Sequence, residues 1–193
     1  YGPWQALWSA FFDLDPALPQ RRQRQAVQAA LQRLAPEHAE AWPLLGEVLG
    51  QDWPDEDFTR ALQPADRKAL REAVLVRCLA GAAREAAEDG MALLLVLEDL
   101  HAADPLSLDL LWRLAQGLAT LPVLLLASRR PPEAEEPPAL ARLAALPQAT
   151  TLVLGGLADA QTEQLIRAKL ALLYPGRSGP VPAPLFERVA ARA

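Results

Sequence analysis

Read for spacing alone, the chain changes hydrophobic period once, at Asp89-Gly90. Before that point apolar residues recur every three or four positions, the spacing that lines one face of a helix. Residues 1–12 place Trp4, Leu7, Trp8, Phe11 and Phe12 on such a face, an aromatic stripe suited to a core. Residues 20–34 are polar, with Val27, Leu31 and Leu34 to one side. Residues 37–50 predict a shorter helix interrupted at Pro43, which lacks an N–H and crowds the preceding turn. An acidic connection, QDWPDEDFTRAL, leads to a long helix over about 65–88. Pro64 suits its first turn, and Leu70, Val74, Leu75, Cys78 and Leu79 form its buried stripe.

Beyond Gly90 apolar residues come in short unbroken runs, at 91–97, 122–127 (PVLLLA) and 150–154 (TTLVL). Each has the length of a strand buried on both faces of a parallel sheet. Helical patterns separate them: one opened by Asp104 as cap and Pro105 as first residue, another over 139–146 after the loop PPEAEEPP. Helices resume over 159–173, a Pro/Gly-rich linker covers 174–184, and a last helix starts near Leu185. Strands alternating with helices imply right-handed crossovers and a parallel sheet. The expected fold is therefore α/β: a three-strand parallel core with helices on both sides and a largely helical N-terminal half. No internal repeat is visible.

The most specific chemistry lies at the end of the first strand. Two adjacent acids, Glu98 and Asp99, follow the aliphatic run, and His101 and Asp104 come soon after. Open α/β sheets bind ligands at the carboxyl ends of their strands, and ionised carboxylates beside a hydrophobic strand need a cation to offset their burial. Mg²⁺ on a nucleotide phosphate answers that need, and this is the residue pattern of a Walker B strand: one acid for the metal, the next for the attacking water. The same two acids also suit an exposed loop that caps the following helix, and both readings stand on the pair alone.

Composition narrows the alternatives. The chain has 193 residues, 51% of them hydrophobic, which suits a folded domain with a core. A formal charge of -5 and the lack of a basic stripe with interleaved aromatics argue against direct nucleic-acid contact. Cys78 is the single cysteine, so no internal disulfide or cysteine zinc site can form. There is no signal-peptide pattern, and the apolar runs fall short of the roughly 20 residues of a membrane span. A soluble protein of the reducing cytoplasm is expected. The opening on Tyr1 without Met, and the close inside LFERVAARA, read as the interior of a longer protein.

Taken together, the order of elements and the stretch EDLHAADPLSLDLL resemble the AAA-like ATPase domain of STAND-class signalling NTPases. Such domains occur in large bacterial regulators and in adenylate or guanylate cyclases. The likeness extends to the YGPW opening, PLLGEVLG, RLAQGLATLPVLLLASRRP and TTLVLGGLADAQTEQLI, and departs at Ala102, where the family has Trp. It implies a P-loop NTPase core of three α/β/α layers, with ATP and Mg²⁺ as ligands of the intact protein. Residues 1–88 would be a helical part, 89–155 the α/β core, and 156–193 the start of a helical lid region. Glu98 takes the metal position and Asp99 the water-activating position. Ser128 and Arg130 match a strand-end sensor, where a hydroxyl and a guanidinium fork read a phosphate.

No GxxxxGK[ST] occurs in the chain, so the phosphate-cradling loop is expected upstream. Its strand would lie beside the second run, whose edge is otherwise open to self-association. The implied function is the middle segment of an ATP-hydrolysing regulatory switch in a signalling or transcription-regulating protein. An inactive scaffold of the same fold is the alternative. Asp99-Leu100-His101 also spells the DxH of metallophosphoesterases, but His38 is the only other histidine, too few ligands for a binuclear centre.

Overall fold

A computed structural model describes residues 1–130, 138–175 and 179–190. The loop expected at 131–138 falls almost wholly outside the described residues, as does part of the linker at 174–184. The chain divides into two compact units, 1–149 and 150–193.

The first unit opens with helices α1 (Gly2–Phe11) and α2 (Gln20–Leu34). The helix expected at 37–50 is instead a 3-10 stretch, Pro36–Leu45, followed by one turn of helix, α3 (Gly46–Leu49). The break falls at His38, whose φ of -117° is non-helical, rather than at Pro43. A proline that cannot donate is tolerated in the tighter ladder, where fewer bonds are at stake. Helix α4 (Asp57–Arg60) precedes the long α5 (Pro64–Glu88).

Helix α5 ends on Gly90, which takes a φ of +71°. There the Met91 N–H reaches the Ala86 carbonyl at 2.8 Å and the Gly90 N–H reaches Ala87 at 3.0 Å. This pair of bonds is a Schellman close, and the left-handed residue it requires is best supplied by glycine. The sequence period therefore changes at Gly90 because the chain physically leaves the helix there.

Two strands follow, β1 (Leu93–Leu97) and β2 (Val123–Ala127), joined by helix α6 (Pro105–Gly117). They pair in parallel, with Leu93 opposite Val123 and Leu97 opposite Ala127. Helix α7 (Pro138–Ala144) closes the unit against α6. The second unit holds α8 (Asp159–Leu173) packed with α9 (Ala183–Ala190). The fold is thus mixed and mainly helical, with one small parallel sheet.

Two expectations about the sheet fail. Residues 150–154 form no strand, and Leu152, Val153 and Leu154 are 79%, 87% and 89% exposed. The sheet also has helices on one side only among the described residues. Leu95 and Leu97 join the core, whereas Leu94, Val96, Leu124 and Leu126 on the opposite face are exposed. An aliphatic run specifies a strand that wants two covered faces, but it carries no information on whether the second layer is present.

The core belongs to the first unit. Trp4, Trp8, Val27, Leu31, Leu45, Leu75, Cys78 and Leu110 are all fully enclosed or nearly so. The Trp4 indole N–H donates to the Ser107 carbonyl at 3.0 Å, tying α1 to the start of α6. Helices α5 and α6 approach closely at Gly117, where an added Cβ would stand 2.4 Å from a Val76 methyl. Burial pushes the Cys78 thiol up to about 12, with the charge of Glu37 adding to the effect. No described helix is long and apolar enough to cross a membrane.

Candidate functional site

Parallel pairing brings the carboxyl ends of β1 and β2 to one edge, and the predicted residues Glu98, Asp99, Ser128 and Arg130 all follow those ends. The ladder continues past the strands. The Ser128 N–H donates to the Leu97 carbonyl at 2.9 Å, and the Leu100 N–H donates to the Ser128 carbonyl at 3.0 Å. Leu100 itself is buried. One apolar side chain and two backbone bonds therefore hold the loop after β1 against the loop after β2.

Between these anchors Asp99 adopts φ 55°, ψ 40°, a left-handed conformation. Aspartate tolerates it better than most residues, yet it remains uncommon outside glycine. The turn directs the chain into a short 3-10 segment, Leu100–Ala102, in which the Ala102 N–H reaches the Asp99 carbonyl at 2.9 Å. The Asp99 carboxylate is 75% exposed, and its Oδ1 lies 3.8 Å from Nδ1 of His101. Glu98, Ser128 and Arg130 are exposed as well. The edge thus presents two acids, a hydroxyl and a guanidinium to solvent.

Asp104 does as its position predicts. It caps α6, accepting the Ser107 N–H at 2.9 Å and the Ser107 hydroxyl at 2.6 Å, and its Oδ2 also lies 2.9 Å from the Tyr1 backbone nitrogen. Burial pushes this carboxyl up, but the hydrogen bonds from Ser107 oppose it and hold the group below the usual carboxylate range. The cap fixes where α6 starts, and with it the span from Asp99 to the helix.

The donor set suits one kind of metal site better than another. Among the described residues no three His, Cys, Asp or Glu side chains converge as a metal cage. Mg²⁺ on a nucleotide does not need such a cage, because one or two carboxylates complete a sphere supplied mainly by phosphates and water. Glu98 and Asp99 fit that lesser requirement.

A cavity of about 350 Å³ lies elsewhere, in the helical half, lined by residues that include Glu47, Trp53, Arg67 and Arg71. Its cations are already engaged. Arg71 pairs with Glu47 and donates to the Tyr1 hydroxyl at 2.9 Å, while Arg67 donates to Asp55 at 2.8 Å and to the Thr59 carbonyl at 2.6 Å. Sequence spacing gave no sign of this network, since Arg71 and Glu47 are 24 positions apart and on different elements. Leu100 was also missed, although a lone apolar residue between polar ones after a strand is a signal for such an anchor.

Comparison with protein-family models, with curated proteins and with solved structures finds no match.

Proposed function

We propose that this chain is the middle of an ATP-binding and ATP-hydrolysing switch domain of the STAND type, with the edge at β1 and β2 as its catalytic side. The observation that carries the proposal is the left-handed Asp99 between Glu98 and the buried Leu100, next to Ser128 and Arg130. Uncommon backbone at the carboxyl end of a parallel strand is where such sheets keep reacting groups. The bare face of the sheet also suits a larger core of three layers, in which further strands and helices cover Leu94, Val96, Leu124 and Leu126.

Bound ATP·Mg²⁺ supplies the phosphoryl group and the charge that neutralises the acids. Glu98 would hold Mg²⁺, directly or through water. Asp99 orients the attacking water and accepts its proton, a role open to a solvent-facing carboxylate. Nδ1 of His101 lies 3.8 Å from that carboxylate. Ser128 and Arg130 face the terminal phosphate with a hydroxyl and a planar fork of donors. The chain has no GxxxxGK[ST], so the backbone nest that grips the β- and γ-phosphates must come from elsewhere in a longer protein.

Two measurements test this. By calorimetry the 193-residue chain should bind ATP·Mg²⁺ weakly or not at all, and micromolar affinity would mean that the site is misplaced. In a longer protein that includes the phosphate loop, Asp99→Asn should keep ATP binding while hydrolysis falls by about 10²–10⁴-fold, the range for losing a general base. Glu98→Gln should instead weaken Mg²⁺ dependence and binding together. An inactive scaffold of the same fold is the second reading, and a longer protein with no GxxxxGK[ST] upstream of these residues would favour it. It predicts that neither substitution changes any turnover.

A further inference from the structure

One cation in the helical half is buried more deeply than its partners account for. Arg71 on α5 is 5% exposed. A guanidinium carries five N–H donors, and this one meets two acceptors, the Glu47 carboxylate and the Tyr1 hydroxyl. Its Nε has no hydrogen-bond partner among the described residues. The carboxylate is itself loosely held, since the Glu47 side chain is 56% exposed. A buried cation thus rests on an anion that lies mostly in water, where buried charges ordinarily need close and complete pairing.

Both groups line the cavity of about 350 Å³, which lies among the 3-10 stretch, α3 and α5. That volume is at the lower end for small-molecule sites and suits a ligand built on a single ring. Pro43, Leu44 and Trp53 supply an apolar wall. The Trp53 indole stands against Trp42, with ring centroids 5.6 Å apart, and its buried N–H has no acceptor among the described residues. Arg67, the other cation on the wall, is committed to Asp55 and to the Thr59 carbonyl. Arg71 is the cation whose partner is free to exchange.

We infer that this cavity binds a small monocarboxylate with a flat apolar body. The ligand takes the place of Glu47 on Arg71 and lays its body against Pro43, Leu44 and Trp53. Exchange of like for like favours a carboxylate. Arg71 already holds one, and replacing it with another leaves the buried pair neutral. A dianionic phosphate would bring excess negative charge beside Glu47 and Asp52, which also lines the cavity. The displaced Glu47 side chain turns into the solvent it already faces. All of these residues belong to the first compact unit, and the inference stands independently of nucleotide chemistry.

Titration of the 193-residue chain with benzoate tests it, followed by calorimetry and by the nitrogen-15 NMR signal of the Trp53 indole. Saturable binding is expected with a dissociation constant of about 0.1–1 mM, the strength open to a ligand of about nine heavy atoms. The Trp53 signal should shift in step. Benzylammonium has the ring without the anion, and inorganic phosphate has the anion without the ring. Each should bind at least about tenfold more weakly than benzoate. Glu47→Gln removes the internal competitor and should tighten benzoate binding by about fivefold or more. Asp57→Asn removes an equal charge from a fully exposed residue outside the cavity lining and should leave the affinity unchanged. Arg71→Gln should abolish binding. If that variant fails to fold, the signed response to Glu47→Gln decides the matter, because Glu47 is mostly exposed. Benzoate that fails to saturate by about 10 mM would overturn the inference. So would phosphate binding as tightly as benzoate, a Glu47→Gln variant that binds no more tightly, or an equal gain from Asp57→Asn.

Discussion

Asp99 holds a left-handed backbone because Leu100 must reach the core while its N–H reaches Ser128. The acids of the candidate site were legible as two polar letters after an aliphatic run. Their backbone was not, since the left-handed turn depends on a partner 28 positions away, the Ser128 carbonyl. Asp99→Gly should therefore leave stability unchanged or slightly raised, whereas Asp99→Val should lower it by about 1–2 kcal/mol, the cost of forcing a branched residue into that region. Urea unfolding of both variants checks this. At Asp104 a pH dependence follows. A carboxyl whose folded pKa lies below its unfolded value near 3.9 contributes stability that is complete above about pH 4 and fades as pH falls towards the folded value. Asp104→Ala should lower stability by about 1 kcal/mol at neutral pH, the usual worth of an N-cap. The gap to the unmodified chain should narrow as the pH is taken below about 4.

Among the elements, the helices were the most legible, and α5 shows why. Its period, its starting proline and its closing glycine agree with one another and with the packing that results. Helix α1 follows the same logic through aromatics. Trp8 is completely enclosed, with Phe11 edge-on at 5.3 Å and Phe12 stacked at 5.9 Å. Trp8→Ala should cost about 3–5 kcal/mol, as large aromatic truncations do when a core cannot collapse, and thermal unfolding followed by circular dichroism would register it. A loss below about 1 kcal/mol would mean that α1 is not part of the core. The strands were legible only where a ladder exists to receive them. The runs at 91–97 and 122–127 became β1 and β2, trimmed at their ends, while TTLVL has equal strand propensity and stays unpaired. Strand propensity describes fit to neighbours, so it cannot by itself supply them.

For the molecule as a whole, the layers were the least legible feature. Helices α5 and α6 build one side of the sheet through contacts whose partners lie far apart in sequence, and nothing in LLLVL or VLLLA says which face they will take. The packed side has a further use. Cys78 sits at 0% exposure on α5, with its thiol pushed up to about 12. At pH 8 the thiol stays overwhelmingly protonated, so little of the reactive thiolate is present even before access is considered. A thiol reagent therefore labels this protein only when the α5 core opens, which makes Cys78 a natural stopwatch for unfolding that needs no engineered probe. Labelling should be slow and independent of reagent concentration at high excess, and should speed up in step with any substitution that loosens the core. Rapid labelling in proportion to reagent would reveal a local breathing of α5, separate from unfolding.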